Sequence, residues 1–248
     1  MSQQPLILAV ETSGRIGSVA IGLGERILDD ATFSGAIRHS SELFPTVQAL
    51  LTRFGRKPAQ IQQVYICVGP GSFTGLRIGV ALAKTMHLAN RAKIVAVDTL
   101  DAIAANASDY AHRRDISLRR IAAVLDAKRG QFYIAAYEQL VANKKGYKKI
   151  MSDRLMTPLE FLQRFACQDV PIWLLGDALL YYKHRFQADG VRTLPEQYWS
   201  AQAKNVYILG WELAKAGEFA DPLTLQPTYI RRPEAEEKWQ QRKSQPLQ

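Results

Sequence analysis

The sequence contains few of the side chains that build disulfide frameworks and metal centres. It has 2 cysteines and 4 histidines in 248 residues. Cys67 and Cys167 lie far apart and inside apolar runs, so we predict that both are reduced residues of a hydrophobic core. No two histidines are four residues apart, which is the spacing with which one helix holds a metal ion. These absences argue against a disulfide-stapled scaffold and against a helix-borne histidine metal site.

Long apolar runs and an N-terminal leader are also lacking. No run approaches the roughly 20 apolar residues that span a bilayer, and the first residues lack the basic-then-apolar order of a signal peptide. We therefore predict a soluble cytoplasmic protein without membrane contact. Acidic residues are in the minority, with 23 Asp and Glu against 32 Lys and Arg and a net charge of +9. This excess indicates either a polyanionic partner such as nucleic acid or a role in solubility alone.

The order of apolar segments repeats along the chain. Strand-like runs and stretches with helical spacing follow the order βββαβαβα in the first half and βββαβα in the second. The repeat predicts an α/β fold of two tandem ribonuclease-H-like domains, as in actin, Hsp70 and sugar kinases. We place the first domain at residues 1–110, the second at 111–232 and a polar tail at 233–248. A last helix at residues 200–217 is expected to pack back on the first domain.

Two hairpin turns and one glycine-rich turn form a candidate nucleotide site. Each half opens with an apolar strand, then an acidic residue, Glu11 or Asp126, and a glycine three or four positions later. In the actin-like superfamily nucleotide lies between the domains, and its phosphates meet such turns. Acidic residues there hold Mg²⁺ or activate a nucleophile. Ser13, Gly71 and Ser72 complete the candidate site.

The glycine-rich turn lies within residues 69–79, GPGSFTGLRIG, between an apolar strand and the start of a helix. Backbone N–H groups at a helix start can hold a phosphate. The alternative is a strand-to-helix turn that needs glycine only to change direction. The Gly-Lys-Ser/Thr sequence of a Walker A loop is absent. A phosphate cradle and a simple turn both remain open interpretations of this motif.

Small residues recur every four positions along the helix that follows this turn. Gly75, Gly79 and Ala83 form a stripe without large side chains, although each glycine costs a helix roughly 1 kcal/mol relative to alanine. We expect another element to approach this stripe closely, either the chain's own sheet or a helix of a second chain. The candidate partner interface contains the stripe together with neighbours on the same helix and on the preceding one, namely Phe73, Leu76, Leu43, Phe44, Val47 and Phe54.

The chain resembles the TsaB (YeaZ-like) family of tRNA threonylcarbamoyladenosine biosynthesis proteins. Residues 69–79 match the family's signature almost letter for letter, and further segments match in order at residues 7–13, 38–45, 97–100, 126–130 and 227–231. The resemblance covers most of the chain and implies the tandem fold predicted above. It also implies a role in forming threonylcarbamoyladenosine beside the anticodon of tRNA.

This resemblance implies an accessory subunit rather than an enzyme. TsaB-like proteins pair with a catalytic paralogue, TsaD, and with an ATPase subunit, TsaE, and the complex acts on tRNA. The metal-binding His-x-x-x-His motif of TsaD would fall at Thr99 and Ile103, neither of which binds a metal. The chain is thus expected to have no metal, catalytic residue or cofactor of its own, with ATP or ADP at most at the subunit junction.

The resemblance also implies where the partner binds. Family complexes join TsaB to TsaD through helices that correspond to residues 40–54 and 73–90. A further alternative, apart from the resemblance, is a homodimer through the same helices when the partner is absent. A rival hypothesis is a stand-alone kinase or ATPase of the actin-like superfamily, which would use Glu11 and Asp126.

Overall fold

A computed structural model describes residues 4–33, 39–140 and 146–230 of the chain. Each half of the chain forms one five-stranded sheet. The strands of the first sheet are, in chain order, β1 (Leu6–Glu11), β2 (Gly17–Leu23), β3 (Arg26–Phe33), β4 (Gln63–Gly69) and β5 (Lys93–Asp98). Those of the second sheet are β6 (Arg120–Asp126), β7 (Phe132–Gln139), β8 (Tyr147–Met156), β9 (Ile172–Leu175) and β10 (Val191–Thr193).

The two sheets have the same topology. Their spatial orders are β3-β2-β1-β4-β5 and β8-β7-β6-β9-β10. In each sheet the first three strands form an antiparallel meander, and the last two extend it in parallel. Parallel neighbours need a crossover connection, which the helices supply. The predicted α/β fold with two similar halves is confirmed, whereas the division into domains 1–110 and 111–232 stays a prediction.

Helices flank both sheets. In the described residues the α-helices are α1 (His39–Arg53), α2 (Phe73–Asn90), α3 (Thr99–Ala104), α4 (Asn106–Arg114), α5 (Pro158–Phe165), α6 (Leu179–Tyr182) and α7 (Ala203–Lys215). Short 3₁₀ helices occupy Pro58–Gln60, Lys183–Phe186 and Glu196–Tyr198. The sequence patterns missed α4 and β10. The residues of α4 are mostly polar, and β10 has only three residues, which pair with β9 through the backbone.

Two hydrophobic cores lie on opposite faces of the first sheet. Because side chains alternate along a strand, Leu8 and Val10 of β1 join the core beneath α1 and α2. Ile7 and Ala9 point the other way and belong to a second core, which continues into the second sheet. Glu11 follows the same alternation, so its carboxylate lies on the face between the sheets.

The C-terminal helix α7 joins the two halves, as the sequence predicted. Its first residue, Ala203, donates its N–H to Ser18 Oγ at 2.8 Å. Tyr207 donates its hydroxyl to the carbonyl of Gly24 at 2.7 Å. The helix also packs closely on β4, since a Cβ at Gly210 would lie 2.5 Å from the ring of Tyr65.

Some predictions from the sequence need correction or lie outside the described residues. Cys67 is buried as expected, but Cys167 is exposed. The prediction for Cys167 was wrong because this residue follows α5 in a turn with a φ of 54° and not in a strand or helix of the core. No helix of the described part is long and apolar enough to cross a membrane. Arg38, Arg231 and the predicted tail at 233–248 lie outside the described residues.

Candidate functional site

The glycine-rich turn connects β4 to α2, as predicted. The chain leaves β4 at Gly69, which has a φ of 132° and precedes a cis proline, Pro70. Ser72 caps the new helix, because its Oγ accepts a hydrogen bond from the N–H of Gly75 at 3.3 Å. The C-terminal segment crosses this turn, where Thr228 donates its N–H to the carbonyl of Val68 at 2.7 Å.

The backbone of this turn packs against the β1–β2 turn of the same chain. The N–H of Ser72 donates to the carbonyl of Ser13 at 2.7 Å. A Cβ at Gly71 would lie 2.6 Å from the same carbonyl oxygen, so only glycine allows this approach. The N–H of Ser72 is therefore engaged within the fold. The motif is a packed strand-to-helix turn, and its use as a phosphate site stays a prediction.

Glu11 organises the β1–β2 turn from below the surface. It is completely buried, and its Oε1 accepts hydrogen bonds from the N–H of Ser13 at 2.6 Å, from Ser13 Oγ at 2.5 Å and from the N–H of Gly14 at 3.2 Å. Burial raises the pKa of this carboxyl, although hydrogen bonds from Cys67, Ser13 and Gly14 oppose the shift. One oxygen of this carboxyl thus holds the turn, while Oε2 is buried without a hydrogen-bond partner among the described residues. A contact of Glu11 with nucleotide stays a prediction.

Asp126 likewise accepts hydrogen bonds from the turn that follows it, the β6–β7 turn. Its Oδ1 accepts the N–H of Lys128 and its Oδ2 accepts the Lys128 ammonium, both at 2.7 Å. The carboxylate thus clamps the turn that follows it, and each of the two predicted acids is engaged within its own hairpin. Among the described residues, no group of three or more His, Cys, Asp and Glu side chains is arranged to hold a metal ion.

A carboxylate from the second half of the chain also reaches the β1–β2 turn: Asp177, which the sequence analysis overlooked. Its Oδ2 accepts the N–H of Arg15 at 3.4 Å, and its Oδ1 accepts the hydroxyl of Ser200 at 2.8 Å. A Cβ at Gly14 would lie 3.1 Å from Oδ2. Burial raises the pKa of Asp177, and hydrogen bonds from Ser200 and Arg15 oppose this. Its place directly after β9, the counterpart of β4, was the signal that could have revealed it.

The glycine stripe of α2 faces inward. A Cβ at Gly75 would lie only 1.8 Å from the carbonyl oxygen of Thr12, and one at Gly79 would lie 3.1 Å from Thr12 Oγ1. Thr12 Oγ1 donates to the carbonyl of Gly75 at 2.7 Å, and Ala83 is fully buried. The assignment of this stripe to a partner was wrong, since the approaching element is the chain's own β1–β2 turn.

Other members of the predicted interface are buried as well. Leu43 and Val47 belong to the core beneath α1 and α2, and Leu76 is buried as well. These side chains therefore cannot contact a partner directly. Phe54 and Phe73 remain exposed. The apolar periodicity correctly predicted helices α1 and α2, but the periodic residues lie on the face of these helices that packs on the sheet.

The opposite side of α1 and α2 carries exposed apolar side chains. The two helices lie side by side over the same core. We call the exposed large apolar residues of α1 and α2, together with Phe54 directly after α1, the helical face; they are Phe44, Phe54, Phe73 and Leu88. Phe44 is 54% exposed and Leu88 is 77% exposed. Large exposed apolar side chains are candidates for protein contact.

Tyr229 packs on one end of the helical face. The guanidinium of Arg77 lies 3.8 Å from the centre of the Phe73 ring. The ring of Tyr229 lies 5.3 Å from that of Phe73, centre to centre, and Arg77 Nε donates to Tyr229 Oη at 3.3 Å. The sequence analysis did not connect these residues, which are about 150 positions apart in the chain.

Comparison with known proteins gives a consistent set of similarities. Residues 34–239 match the model of the TsaD family, described as tRNA N6-adenosine threonylcarbamoyltransferase. A Bacillus subtilis tRNA threonylcarbamoyladenosine biosynthesis protein TsaB is 29% identical over 94% of this chain and 97% of its own length. The Escherichia coli protein of the same name is 33% identical over 54% of this chain and 55% of its own length.

Solved structures with the same fold come from Pseudomonas aeruginosa. One is YeaZ, with a TM-score of 0.74 and 24% identity, which covers 91% of this chain and 99% of that one. Another is a protein described as similar to peptidase YeaZ, with a TM-score of 0.75 and 23% identity over 92% of this chain and all of that one. These similarities establish the architecture of the two sheets.

Proposed function

The chain belongs to the TsaD family of tRNA N6-adenosine threonylcarbamoyltransferases as a TsaB-like member, and from this premise we propose that it is a non-catalytic subunit for threonylcarbamoyladenosine synthesis. In this role it binds a catalytic TsaD-type subunit and activates it for transfer of the threonylcarbamoyl group to the adenosine beside the anticodon. A TsaE-type ATPase and tRNA join through the complex.

The observation that carries this proposal is the helical face. Phe44 and Phe73 project from two neighbouring helices, at the location that the family resemblance assigns to the subunit contact. Buried aromatic side chains are frequent anchors of protein interfaces. The glycine stripe supports this surface from within, because it lets α2 pack tightly on the β1–β2 turn and so fixes the orientation of the outer side chains.

A non-catalytic role agrees with the chemistry of the candidate acids. Glu11 and Asp126 each stabilise their own hairpin turn. Thr99 and Ile103, at the positions of the metal-binding histidines of TsaD, are buried in α3. The stand-alone kinase or ATPase predicted as an alternative is not part of this proposal. ATP or ADP at the subunit junction and a homodimer in the absence of the partner remain predictions.

The proposal is tested by mixing the chain with the TsaD-type subunit of the same organism. Size-exclusion chromatography should show one complex, and Phe44→Glu should weaken the association at least about 30-fold, as expected for an interface anchor. Leu159→Glu is the matched control, since Leu159 is a helical leucine that is 65% exposed in the second half of the chain. An undiminished affinity of the Phe44→Glu variant would contradict the proposed contact.

Two further measurements separate the function from its rival. Transfer of threonylcarbamoyl to tRNA should require both subunits and should not occur with this chain alone. Calorimetry with ATP and Mg²⁺ should detect binding by the complex and not by the isolated chain. Tight binding and turnover by the isolated chain, lost in Asp126→Asn, would favour the kinase or ATPase hypothesis instead.

A further inference from the structure

The outer side of α2 carries basic residues in line with apolar ones. Phe73, Arg77, Lys84 and Leu88 are spaced by four, seven and four residues, which places their side chains along one side of an α-helix. We call these four residues the outer row of α2. Arg77 is exposed and Lys84 is partly buried. Along α2, two apolar residues of the helical face therefore have two basic residues between them.

Arg77 is held in place by two aromatic neighbours. Its guanidinium carbon lies 3.8 Å from the centre of the Phe73 ring. Its Nε donates to Tyr229 Oη at 3.3 Å, and the centres of the Tyr229 and Phe73 rings lie 5.3 Å apart. Because these contacts already restrict the side chain, Arg77 loses less conformational entropy when it binds a further group than a freely moving arginine would.

Tyr229 is positioned in turn by contacts of the C-terminal segment with the glycine-rich turn. The preceding residue, Thr228, donates its N–H to the carbonyl of Val68 at 2.7 Å. A Cβ at Gly69 would lie 2.6 Å from the carbonyl oxygen of Thr228, so the close approach of the two backbones requires glycine. The backbone of the segment is thereby fixed beside the start of α2, and this places the Tyr229 hydroxyl next to Arg77.

The charge of Arg77 is not neutralised within the described part of the chain. Among the described residues its side chain contacts Phe73 and Tyr229 and forms no ion pair. Arg53 at the end of α1 differs, because it pairs with Asp29. The sequence of α2 contains no acidic residue that could serve Arg77 in the same way. The two terminal nitrogens of Arg77 are therefore available to an acceptor from another molecule.

The chemistry of the outer row indicates the class of partner. The planar guanidinium of arginine matches a carboxylate through two parallel hydrogen bonds, and arginine is enriched among the residues that dominate the binding energy of protein interfaces. Phe73 and Leu88, on either side of the basic residues, need an apolar counterpart. A protein surface with a carboxylate between apolar side chains meets both requirements, whereas a polyanion would leave the apolar residues without a counterpart.

We propose that Arg77 binds a carboxylate of the protein partner and is the charged anchor of the helical face, with Tyr229 as its positioning residue. The proposal rests on the proposed function for the identity of that partner, which is the TsaD-type subunit. It adds a charged contact to the apolar ones and gives the C-terminal segment a part in partner binding.

The test is surface plasmon resonance with the TsaD-type subunit of the same organism immobilised. Arg77→Gln removes the charge and should weaken binding at least about 30-fold. Arg77→Lys keeps a charge without the planar fork, so it should weaken binding less than Arg77→Gln does. Arg164→Gln is the matched control, because Arg164 is an exposed arginine of α5 whose guanidinium lies 5.6 Å from the centre of the Phe165 ring. This control should bind as the unaltered chain does.

Salt dependence separates a charge contact from simple packing. The affinity of the unaltered chain should fall as the ionic strength rises from about 0.05 to 0.5 M, and the affinity of Arg77→Gln should fall less over the same range. Tyr229→Phe keeps the ring on Phe73 but removes the acceptor for Arg77 Nε. This variant should weaken binding about fivefold, and an unchanged affinity would overturn the positioning role of Tyr229.

Two results would overturn the charged contact itself. One is an undiminished affinity of Arg77→Gln. The other is equal weakening by Arg77→Lys and Arg77→Gln with the salt dependence of the unaltered chain, since the aliphatic stem of the arginine would then account for the effect. Circular dichroism should show that the isolated variants unfold at the temperature of the unaltered chain. Failure of the unaltered chain to bind the TsaD-type subunit contradicts the proposed function and this proposal together, whereas the results above contradict this proposal alone.

Discussion

Replacing Gly75 by alanine tests which way the glycine stripe faces. In an exposed helix this change stabilises by roughly 1 kcal/mol, because glycine is the poorer helix former. In this fold a Cβ at Gly75 would lie 1.8 Å from the carbonyl oxygen of Thr12. That oxygen belongs to the backbone of the β1–β2 turn, which cannot move aside as a flexible side chain could. We therefore expect Gly75→Ala to destabilise the isolated chain.

The size of the effect follows from three contributions. Overpacking a buried site costs about 1–3 kcal/mol. Moving α2 away also disrupts the hydrogen bond from Thr12 Oγ1 to the Gly75 carbonyl, which leaves buried polar groups unsatisfied at a cost of about 1–3 kcal/mol. Allowing for the gain in helix propensity, the free energy of unfolding should fall by about 1–5 kcal/mol. For a chain of this length that lowers Tm by about 2–20 °C.

Thermal and urea unfolding of the isolated chain, followed by circular dichroism, measures this loss. Gly79→Ala is the matched control, because its Cβ would lie 3.1 Å from Thr12 Oγ1, and a shift of a few tenths of an ångström relieves this contact while the hydrogen bond to the Gly75 carbonyl is kept. Its packing cost and its gain in helix propensity should nearly cancel. A Gly75→Ala variant that is as stable as the unaltered chain, yet fails to bind the TsaD-type subunit, would refute inward packing and restore the stripe as a partner surface.

Two further predictions concern buried polar groups. Because burial raises the pKa of Glu11 above its ordinary value of 4.5, the folded chain holds this proton more tightly than the unfolded chain, and stability should fall as pH rises from 4.5 towards the raised value. In Glu11→Gln the urea midpoint should fall less over this pH range than in the unaltered chain. An equal fall in both proteins would contradict the assignment of this pH dependence to Glu11. Tyr207→Phe should lower the free energy of unfolding by about 1 kcal/mol, because the Gly24 carbonyl loses its donor; Tyr181→Phe, at an exposed hydroxyl, should cost less, and equal losses would contradict the buried role of Tyr207.

The repeated order of strands and helices was predictable because apolar periodicity reports directly on burial. The continuous apolar run at β1 and the alternation of β2 and β3 with turns were enough to indicate a meander. The missed elements carry no such pattern. α4 is mostly polar, and β10 is held by backbone pairing with β9, which any three residues can provide.

The candidate site was predicted less well, because it depends on contacts between distant segments. Glu11, Ser13, Gly71 and Ser72 do come together, as the sequence analysis expected. They are linked to one another by hydrogen bonds, and phosphate binding there stays a prediction. Asp177 reaches this region from a position 166 residues beyond Glu11, and its place after β9 was the signal that the sequence offered.

Residue pattern alone was sufficient for the α/β repeat, for the strand-to-helix turn at residues 69–79 and for the need of α2 to meet a close neighbour. Only the tertiary structure shows which element packs against the glycine stripe of α2. A glycine stripe shows that something approaches within van der Waals distance, but its spacing is the same whether that object is the carbonyl of Thr12 or another subunit. The identity of the neighbour depends on how the β1–β2 turn is held by Glu11, which is a property of the packed chain.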